Sequence, residues 1–207
     1  MNITLLGTGN MGTAFAQQLR AAGHSLNILG RDSAKARACA ERFGASSDPA
    51  RAASSDLVIL ATGYADAVAA LRAAGLPDGA VVVDITNPLT PDYMGLTLGH
   101  SSSAAEQIAG VLPKLHVVKA FNTVFAQRLA AGARLPDGQV VPVFVAADDA
   151  QARQRVADLA RSMGFDVIDA GPLRNARYLE PLAGLNIYLG YGAGLGTLIA
   201  PTWLRQA

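Results

Sequence analysis

The stretch "ITLLGTGNMGTAFAQQLRAAGHSLNILGRDSAKA", residues 3–36, places a glycine-rich turn between an apolar run and a helical pattern. Gly7, Gly9 and Gly12 have the spacing G-x-G-x-x-G, directly after the predicted strand 3–6. In that context the first glycine permits a tight turn, the second removes a side chain where a pyrophosphate would approach, and the third lets helix and strand pack closely. The stretch therefore predicts a dinucleotide-binding loop rather than a turn without a ligand.

The helix that follows this loop supplies the predicted phosphate contacts. Its first backbone amides, those of Asn10 and Met11, have no acceptor inside the helix. They are expected to face the phosphates, because the positive end of the helix dipole lies behind them.

The end of the second predicted strand indicates which dinucleotide binds. An NAD site places a carboxylate there for the ribose hydroxyls, whereas a 2'-phosphate requires arginine instead. The sequence reads "ILGRDSAK", with Gly30 and Arg31 at that place and Lys35 one turn into the next helix. We therefore expect NADP. The alternative, in which Arg31 and Lys35 are solvated and Asp32 turns inward to the ribose, stays open at this point.

The rest of the chain alternates short apolar runs with helical patterns. The predicted strands cover residues 3–6, 26–29, 57–61, 81–85, 117–121, 140–145 and 165–168. Most of these runs are continuously apolar, as in strands whose two faces are both covered. The pattern predicts an α/β fold with a doubly wound, mostly parallel Rossmann sheet.

Two loops at the carboxyl edge of this sheet border the expected nicotinamide crevice. They follow the strands that end "LVILATGY" and "VVVDITNPL". Ligands of such sheets bind outside the carboxyl ends of the strands. Thr62, Gly63, Asn87 and Pro88 are therefore predicted cofactor contacts, although an ordinary turn would also explain an Asn-Pro pair.

Residue patterns typical of helix ends and loops indicate one further helix and a domain boundary. Ser103 and Glu106 have capping-box spacing, which predicts a helix from there to about Leu112. Strand alternation stops near Gly171 and Pro172, so we expect a Rossmann domain over residues 1–170 and a C-terminal helical extension over residues 171–207.

The extension raises the question of a membrane span, because it has no charged residue between Glu180 and Arg205. Its many glycines, together with Pro201, favour a buried helix that ends in a glycine-rich turn. We therefore expect no contact with a membrane. An apolar tail of this size, over residues 181–204, predicts a homodimer.

Composition narrows the range of partners and compartments. Seventeen Lys and Arg stand against sixteen Asp and Glu, without a basic block that would attract nucleic acid or an anionic membrane. The single cysteine, Cys39, and the absence of a signal-peptide pattern indicate a reducing, cytoplasmic location.

No catalytic residue is identifiable from the sequence. The three histidines are isolated: His24 is expected on a surface turn and His116 at the start of a strand. Neither histidine nor cysteine spacing suggests a metal site. Asp84, inside an apolar strand, is interpreted as a hydrogen-bonded structural carboxylate rather than a base.

The sequence resembles the NADP oxidoreductases that use coenzyme F420, and the related cytoplasmic domain of the six-transmembrane metalloreductases. The similarity covers nearly the whole chain. It is carried by "LLGTGNMG", "GRDSAKA", "VVVDITNPLT", "SSSAAEQIAGVLP", "VVKAFNTVFAQRL", "MGFDVIDAGPLRNARYLEPLAGL" and "YGAGLGT". The glycine loop is common to many proteins, whereas "VVKAFNT" and "DAGPLRNAR" are specific.

The resemblance implies hydride transfer between NADP(H) and a deazaflavin or flavin, in a homodimer built partly by the C-terminal helices. It also implies particular contacts. Those at the phosphates are Thr8, Asn10, Met11, Arg31 and Lys35. The floor of the nicotinamide and substrate pocket is segment 120–126, including Ala120, Asn122 and Val124, with the turn of Gly194, Leu195, Gly196 and Thr197 nearby.

Hydride transfer between two stacked rings needs alignment more than it needs an acid or base. We therefore predict an NADP-dependent oxidoreductase whose small-molecule electron acceptor is coenzyme F420, FAD or FMN. Two alternatives remain: an NADPH-binding sensor without turnover, and a reductase of a small carbonyl or imine. An open apolar pocket would favour the enzyme, and a pocket filled by Tyr64, Phe121 or Phe125 would favour the sensor.

Overall fold

The computed structural model describes residues 1–203, which build one seven-stranded sheet with helices packed on both faces. The strand order is β2-β1-β3-β4-β5-β6-β7, and every neighbouring pair is parallel except β5 and β6. The predicted α/β, doubly wound and mostly parallel sheet is confirmed. The strands are β1 (Asn2–Leu6), β2 (Ser25–Leu29), β3 (Leu57–Leu60), β4 (Val81–Asp84), β5 (His116–Ala120), β6 (Pro142–Ala146) and β7 (Asp166–Gly171).

In the described part of the chain, seven α-helices connect and cover these strands. They are α1 (Asn10–Ala21), α2 (Ser33–Arg42), α3 (Ala67–Ala73), α4 (Ala104–Val111), α5 (Ala126–Ala131), α6 (Ala150–Ser162) and α7 (Ala176–Ile187). A π-helical turn, Tyr188–Gly192, continues α7. Ser103 caps α4 as its spacing predicts, since its hydroxyl accepts the amide of Glu106 at 3.2 Å. The Glu106 carboxylate, however, accepts the Ser103 hydroxyl and the Arg177 guanidinium.

Burial on both faces explains why the strands are continuously apolar. In β3, Leu57 and Ile59 belong to the core on one side of the sheet, and Val58 and Leu60 to the core on the other. Successive side chains of a strand point to opposite faces, so both parities must be apolar when both faces are covered.

Strand β1 lies between β2 and β3, so the chain moves across the sheet in one direction to β2 and then in the other to β3. This reversal creates a topological switch point at the carboxyl ends of β1 and β3. Crevices for ligands form at such points. The Gly7 amide donates to Leu29 O and the Ala61 amide to Leu6 O, both at 2.8 Å, so three strand ends are fixed beside the glycine loop.

Two expectations need correction. Helix α7 is not buried all round, because Tyr178 is 74% and Leu185 is 55% exposed. His24 is not on the surface, because it is buried and its Nε2 lies 2.8 Å from Ser162 Oγ.

No helix within residues 1–203 is long and apolar enough to cross a membrane. The last residues of the predicted extension, 204–207, lie outside the described part of the chain.

Candidate functional site

The three glycines of the first loop have different structural requirements. Gly7 has a φ of +125°, and a Cβ there would overlap the carbonyl oxygen of Ala61. A Cβ at Gly12 would overlap the carbonyl oxygen of Gly7. By contrast, a Cβ at Gly9 would meet nothing within 4 Å, and Gly9 caps α1 without any side-chain hydrogen bond. Gly7 and Gly12 are needed by the fold itself, whereas the space beside Gly9 is open for a ligand.

The end of β2 presents exposed cations beside this loop. The Arg31 side chain is 90% exposed, and its only ion-pair partner within residues 1–203, Asp66, is 3.6 Å away and also exposed. Such a pair contributes little and is easily exchanged for a phosphate. Lys35 lies one turn into α2, and its Nζ atom is 3.9 Å from Oδ2 of Asp32.

Asp32 is occupied with the start of α2. Its Oδ1 accepts the amides of Ala34 and Lys35 at 3.0 Å, and these bonds, first that from Lys35, hold the pKa of Asp32 below its ordinary value. An Asp32 that turned toward a ribose would have to give up this cap. The arrangement therefore favours the 2'-phosphate over the bare ribose.

Replacement of Arg31 with alanine is expected to weaken NADPH binding about 10- to 100-fold, since a charge-assisted phosphate contact contributes roughly 1.5–3 kcal/mol. NADH, which lacks the 2'-phosphate, should bind almost as before. Titration of nucleotide fluorescence measures both affinities. Arg37→Ala, an exposed arginine further along α2, is the matched control. Equal losses for both nucleotides would contradict the assignment.

A cleft of about 650 Å³ opens at the carboxyl edge of the sheet, next to the first turn of α1. Five predicted contacts line it together: Asn10, Met11, Asn87, Asn122 and Val124. The other lining residues are Ile85, Asp92, Tyr93, Met94, Phe121, Thr123, Phe125, Ala126, Gln127, Ala183, Asn186, Ile187 and Tyr191. The volume is that of a typical small-molecule site.

The other predicted site residues lie around the cleft rather than on its surface. Ala120 is fully buried in the core below it. Thr62, Gly63 and Pro88 lie in loops after β3 and β4 at the same edge. The turn of Gly194, Leu195, Gly196 and Thr197 is tied to the π-helical turn, because the Gly196 amide donates to Gly190 O at 3.0 Å.

The floor of the cleft is a strained turn at the end of β5. Phe121 has a φ of +59°, a conformation that is costly for a bulky residue and persists only where packing enforces it. Its ring is fully buried and makes edge contacts with Phe15 and Phe165, with ring centroids 5.1 and 6.0 Å apart. This packing directs the following residue, Asn122, to the cleft.

Asn122 is fixed by the residues around it. Its Nδ2 donates to Asn87 Oδ1 at 3.0 Å and to Leu179 O at 2.8 Å, while Asn87 Nδ2 donates back to Asn122 O at 2.9 Å. The Asn122 Oδ1 atom has no hydrogen-bond partner within residues 1–203. The two asparagines therefore form a rigid amide pair between the loops after β4 and β5.

A fully buried ion cluster lies behind this floor. Lys119 Nζ is 2.7 Å from Asp84 Oδ2 and 2.8 Å from Glu180 Oε1, and it donates to Thr86 O at 2.6 Å. Glu180 also accepts the first amides of α4, those of Ala104 and Ala105. Burial alone would lower the pKa of Lys119, but the two carboxylates outweigh it and raise that pKa.

This cluster joins the three walls of the cleft. Asp84 precedes the loop that contains Ile85 and Asn87, and Lys119 precedes segment 121–127, which runs into α5. Glu180 lies on α7, which contributes Ala183, Asn186 and Ile187 to the lining. Asn186 Nδ2 adds a bond to Thr123 O at 3.0 Å. The expected structural role of Asp84 agrees with this geometry.

Sequence reasoning missed several residues of the site. Lys119 is a charge inside an apolar strand, which is a signal for a buried partner, but nothing local points to Glu180, sixty-one positions later. Asp92, Tyr93 and Met94 come to the cleft through a turn in which Thr97 N donates to Pro88 O at 2.7 Å. No local pattern predicts that fold-back.

Within residues 1–203, no group of His, Cys, Asp or Glu side chains could hold a metal ion.

Residues 2–88, which contain the glycine loop and β4, match the family model described as NADP oxidoreductase, coenzyme F420-dependent. A crystal structure from Arthrobacter sp. FB24, described as a candidate F420-dependent NADP-reductase, is 32% identical and has a TM-score of 0.85. The alignment covers 98% of this chain and 99% of that one. The chain belongs to this family.

This family is one of NADP-dependent oxidoreductases. Rat metalloreductase STEAP3 is 30% identical over 183 residues, which are 87% of this chain and 36% of that protein. The chain thus spans about a third of the metalloreductase's length. A reductive aminase from Aspergillus terreus, at 22% identity and a TM-score of 0.64, shares the fold over 93% of this chain and 62% of its own.

Proposed function

We propose that the protein transfers a hydride between NADP(H), bound at the glycine loop, and a deazaflavin such as coenzyme F420 or a flavin, bound in the cleft. The observation that carries this proposal is the cleft itself. It is open, it meets the first turn of α1 at Asn10 and Met11, and its lining is mostly apolar. Those are the requirements for a flat ring that must stack beside a nicotinamide.

The residues present fit NADP(H). The open space beside Gly9 and the first amides of α1 would hold the pyrophosphate, and Arg31 and Lys35 would hold the 2'-phosphate. Thr62, Gly63, Asn87 and Pro88 would border the nicotinamide half. When bound, NADPH supplies the hydride that the reaction transfers.

The chain's own residues align the reactants and exclude water. No Lys, Arg, His, Cys or Glu side chain lines the cleft in the described part of the chain. Met11, Val124 and Phe125 give it apolar walls, and the pair Asn87–Asn122 fixes its floor. We infer that catalysis comes from holding two rings at contact distance, which requires no proton transfer by the protein.

The cleft also bears on the alternatives. Phe121 belongs to its floor with a fully buried ring, Phe125 lies in its wall and Tyr64 is not part of the lining, so none of the three fills it. This supports turnover over a sensor that only holds NADPH. The phenols of Tyr93 and Tyr191 favour the second candidate, reduction of a small carbonyl or imine, because that reaction needs a proton donor.

An anaerobic acceptor panel tests the proposal. The protein is mixed with NADPH and, in turn, coenzyme F420, riboflavin, FMN, FAD, a small ketone and an imine, and the loss of nicotinamide absorbance is followed. We expect oxidation with a deazaflavin or flavin, at a rate that does not follow any side-chain pKa between about pH 6 and pH 9. Turnover with only the ketone or imine would establish the second candidate instead.

We also propose a homodimer that works in a reducing cytoplasm, where the lone Cys39 stays a thiol. The exposed apolar side chains of α7 and the segment after it support the dimer, because a monomer rarely leaves such a surface in water. They are Tyr178, Leu185, Tyr188, Tyr191, Leu195, Leu198 and Trp203.

Light scattering at micromolar concentration should give twice the 21.3 kDa mass of one chain. Leu185→Glu together with Tyr188→Glu should shift the protein toward the monomer, because two charges would have to be buried without partners. A parent protein that is monomeric at this concentration would contradict the proposal.

A further inference from the structure

The loop after β3 ends in a carboxylate that does not cap the helix it precedes. Asp66 is the N-cap residue of α3, a position where an aspartate side chain usually accepts a helix amide. Asp32, Asp48 and Asp149 accept such amides at the starts of α2, a 3-10 turn and α6. The Asp66 side chain makes no capping bond, and its Oδ2 lies 3.6 Å from Nη1 of Arg31. Its carboxylate is therefore available to a partner outside α3.

This ion pair connects two loops at the carboxyl edge of the sheet. Arg31 follows β2 and Asp66 lies in the segment after β3, while β1 lies between these two strands. Both side chains are mostly exposed, at 90% and 61%. In the free protein the pair therefore bridges the loops on either side of the carboxyl end of β1, where the glycine loop begins.

The charges around Arg31 cancel before a nucleotide binds. Arg31 and Lys35 supply two positive charges, and Asp66 and Asp32 supply two negative ones, each within 4 Å of its partner. Asp32 is needed by the fold, because its Oδ1 accepts two amides at the start of α2. Asp66 has no such bond, so its charge can oppose an incoming phosphate without supporting a helix.

We propose that Asp66 is a specificity-determining residue that competes with the 2'-phosphate of NADP(H) for Arg31. This inference rests on the proposed position of that phosphate and narrows it. Arg31 exchanges partners: Asp66 holds it in the free protein, and the phosphate holds it in the complex. An exposed ion pair contributes little by itself, so most of the effect comes from the carboxylate that stays near the bound phosphate. Asp66 thus lowers the affinity for NADP(H) and leaves that for NAD(H) unchanged.

The exchange also affects the rate at which the nucleotide leaves. A phosphate held by two unopposed cations dissociates slowly, and product release limits the turnover of many enzymes. Asp66 lies beside Arg31 and recaptures its guanidinium as the phosphate departs. The carboxylate therefore favours rapid exchange of the oxidised and reduced nucleotide.

Binding of NADP⁺ and NAD⁺ to the parent protein and to Asp66→Asn tests the proposal, without an electron acceptor and hence without turnover. Asparagine keeps the size of the side chain and removes its charge. We expect the variant to bind NADP⁺ about 3- to 10-fold more tightly at low ionic strength and pH 8, from a doubly charged phosphate roughly 6–8 Å from one carboxylate in a medium near the dielectric of water. NAD⁺ should bind as before, and added salt should reduce the gain. Calorimetric titration measures the affinities, and stopped-flow displacement should show slower dissociation of NADP⁺.

Two further variants isolate the role of Asp66. Asp78→Asn removes an exposed carboxylate that pairs with Lys114 at 2.8 Å, in the turn before β4 and hence at the opposite edge of the sheet. It should change neither affinity. In an Arg31→Ala background, Asp66→Asn should produce a smaller gain, because no arginine remains for the carboxylate and the phosphate to share.

The outcomes separate this inference from the proposal on which it rests. A gain for NADP⁺ alone in Asp66→Asn, absent from Asp78→Asn, supports it. Unchanged or weaker NADP⁺ binding by Asp66→Asn, or an equal gain for NAD⁺, overturns it, while selective loss of NADP⁺ binding in Arg31→Ala would still support the phosphate site. If Arg31→Ala weakens both nucleotides equally, the phosphate site is wrong and the inference fails with it.

Discussion

Replacement of Lys119 with methionine is expected to lower the free energy of unfolding by about 3–5 kcal/mol, the usual loss when one partner of a buried ion pair is removed. Methionine fills similar space, but Asp84 and Glu180 would then face each other without a counter-charge, at side-chain exposures of 0% and 1%. Denaturant unfolding monitored by circular dichroism measures the change.

The control for this variant is Lys114→Met. Lys114 also pairs with a carboxylate at 2.8 Å, that of Asp78, but both side chains are exposed. The loss there should be much smaller, because water screens an exposed ion pair. A Lys119→Met protein as stable as the parent would show that the buried ion cluster makes no net contribution to the free energy of unfolding.

Lower pH should partly restore the stability of Lys119→Met. Without the lysine, the two buried carboxylates bind protons more tightly in the folded chain than in the unfolded one. The folded state is then favoured as the pH falls, so the deficit measured near pH 7 should shrink near pH 5. A deficit that is independent of pH would mean that lost packing, rather than uncompensated charge, destabilises the variant.

Replacement of Gly9 with alanine is expected to weaken NADPH and NADH binding at least about 100-fold, because the new methyl group occupies the space where the pyrophosphate accepts the helix amides. The free protein should keep its stability, since Gly9 has φ −75° and ψ −167°, which alanine adopts freely, and its Cβ would meet nothing within 4 Å. Calorimetric titration and thermal unfolding measure the two properties separately.

Two other glycines serve as comparisons. Gly110→Ala, in α4, likewise adds a methyl group with no neighbour within 4 Å. It should leave nucleotide binding unchanged and slightly raise the thermal stability, because alanine has the higher helix propensity. Gly12→Ala should instead destabilise the fold, because its Cβ would overlap Gly7 O. Normal nucleotide binding by Gly9→Ala would mean that the loop is a turn without a phosphate ligand.

The sheet could be predicted from the sequence because its signals are local. Each strand is a short apolar run between turn residues, and each predicted run overlaps an observed strand to within a few residues at either end. The apolar runs do not indicate that β5 and β6 pair in antiparallel orientation. It depends on how the segment around α5 reverses the chain.

Less of the site could be predicted, because its parts meet through tertiary packing. Position after a strand sufficed for Asn87, since parallel strands bring their carboxyl ends to one edge, whereas Asn122 was implied by the family resemblance. The resemblance could not show that Ala120 is fully buried in the core rather than exposed to the cleft. Glu180, Asn186 and Asp92 come from segments whose contact with the sheet no local pattern indicates.

Transfer of deuterium tests the central claim, that two rings meet in this cleft, most directly. NADPH carrying deuterium at either face of C4 is mixed anaerobically with the protein and uncharged 5-deazariboflavin, and the reduced deazaflavin is analysed by mass spectrometry. Hydrogen bound to C5 of that ring does not exchange with water. The account predicts that deuterium from one face of NADPH appears in the product and that deuterium from the other face does not. NADPH oxidation no faster than without protein, or a product whose new hydrogen comes from the solvent, would contradict it.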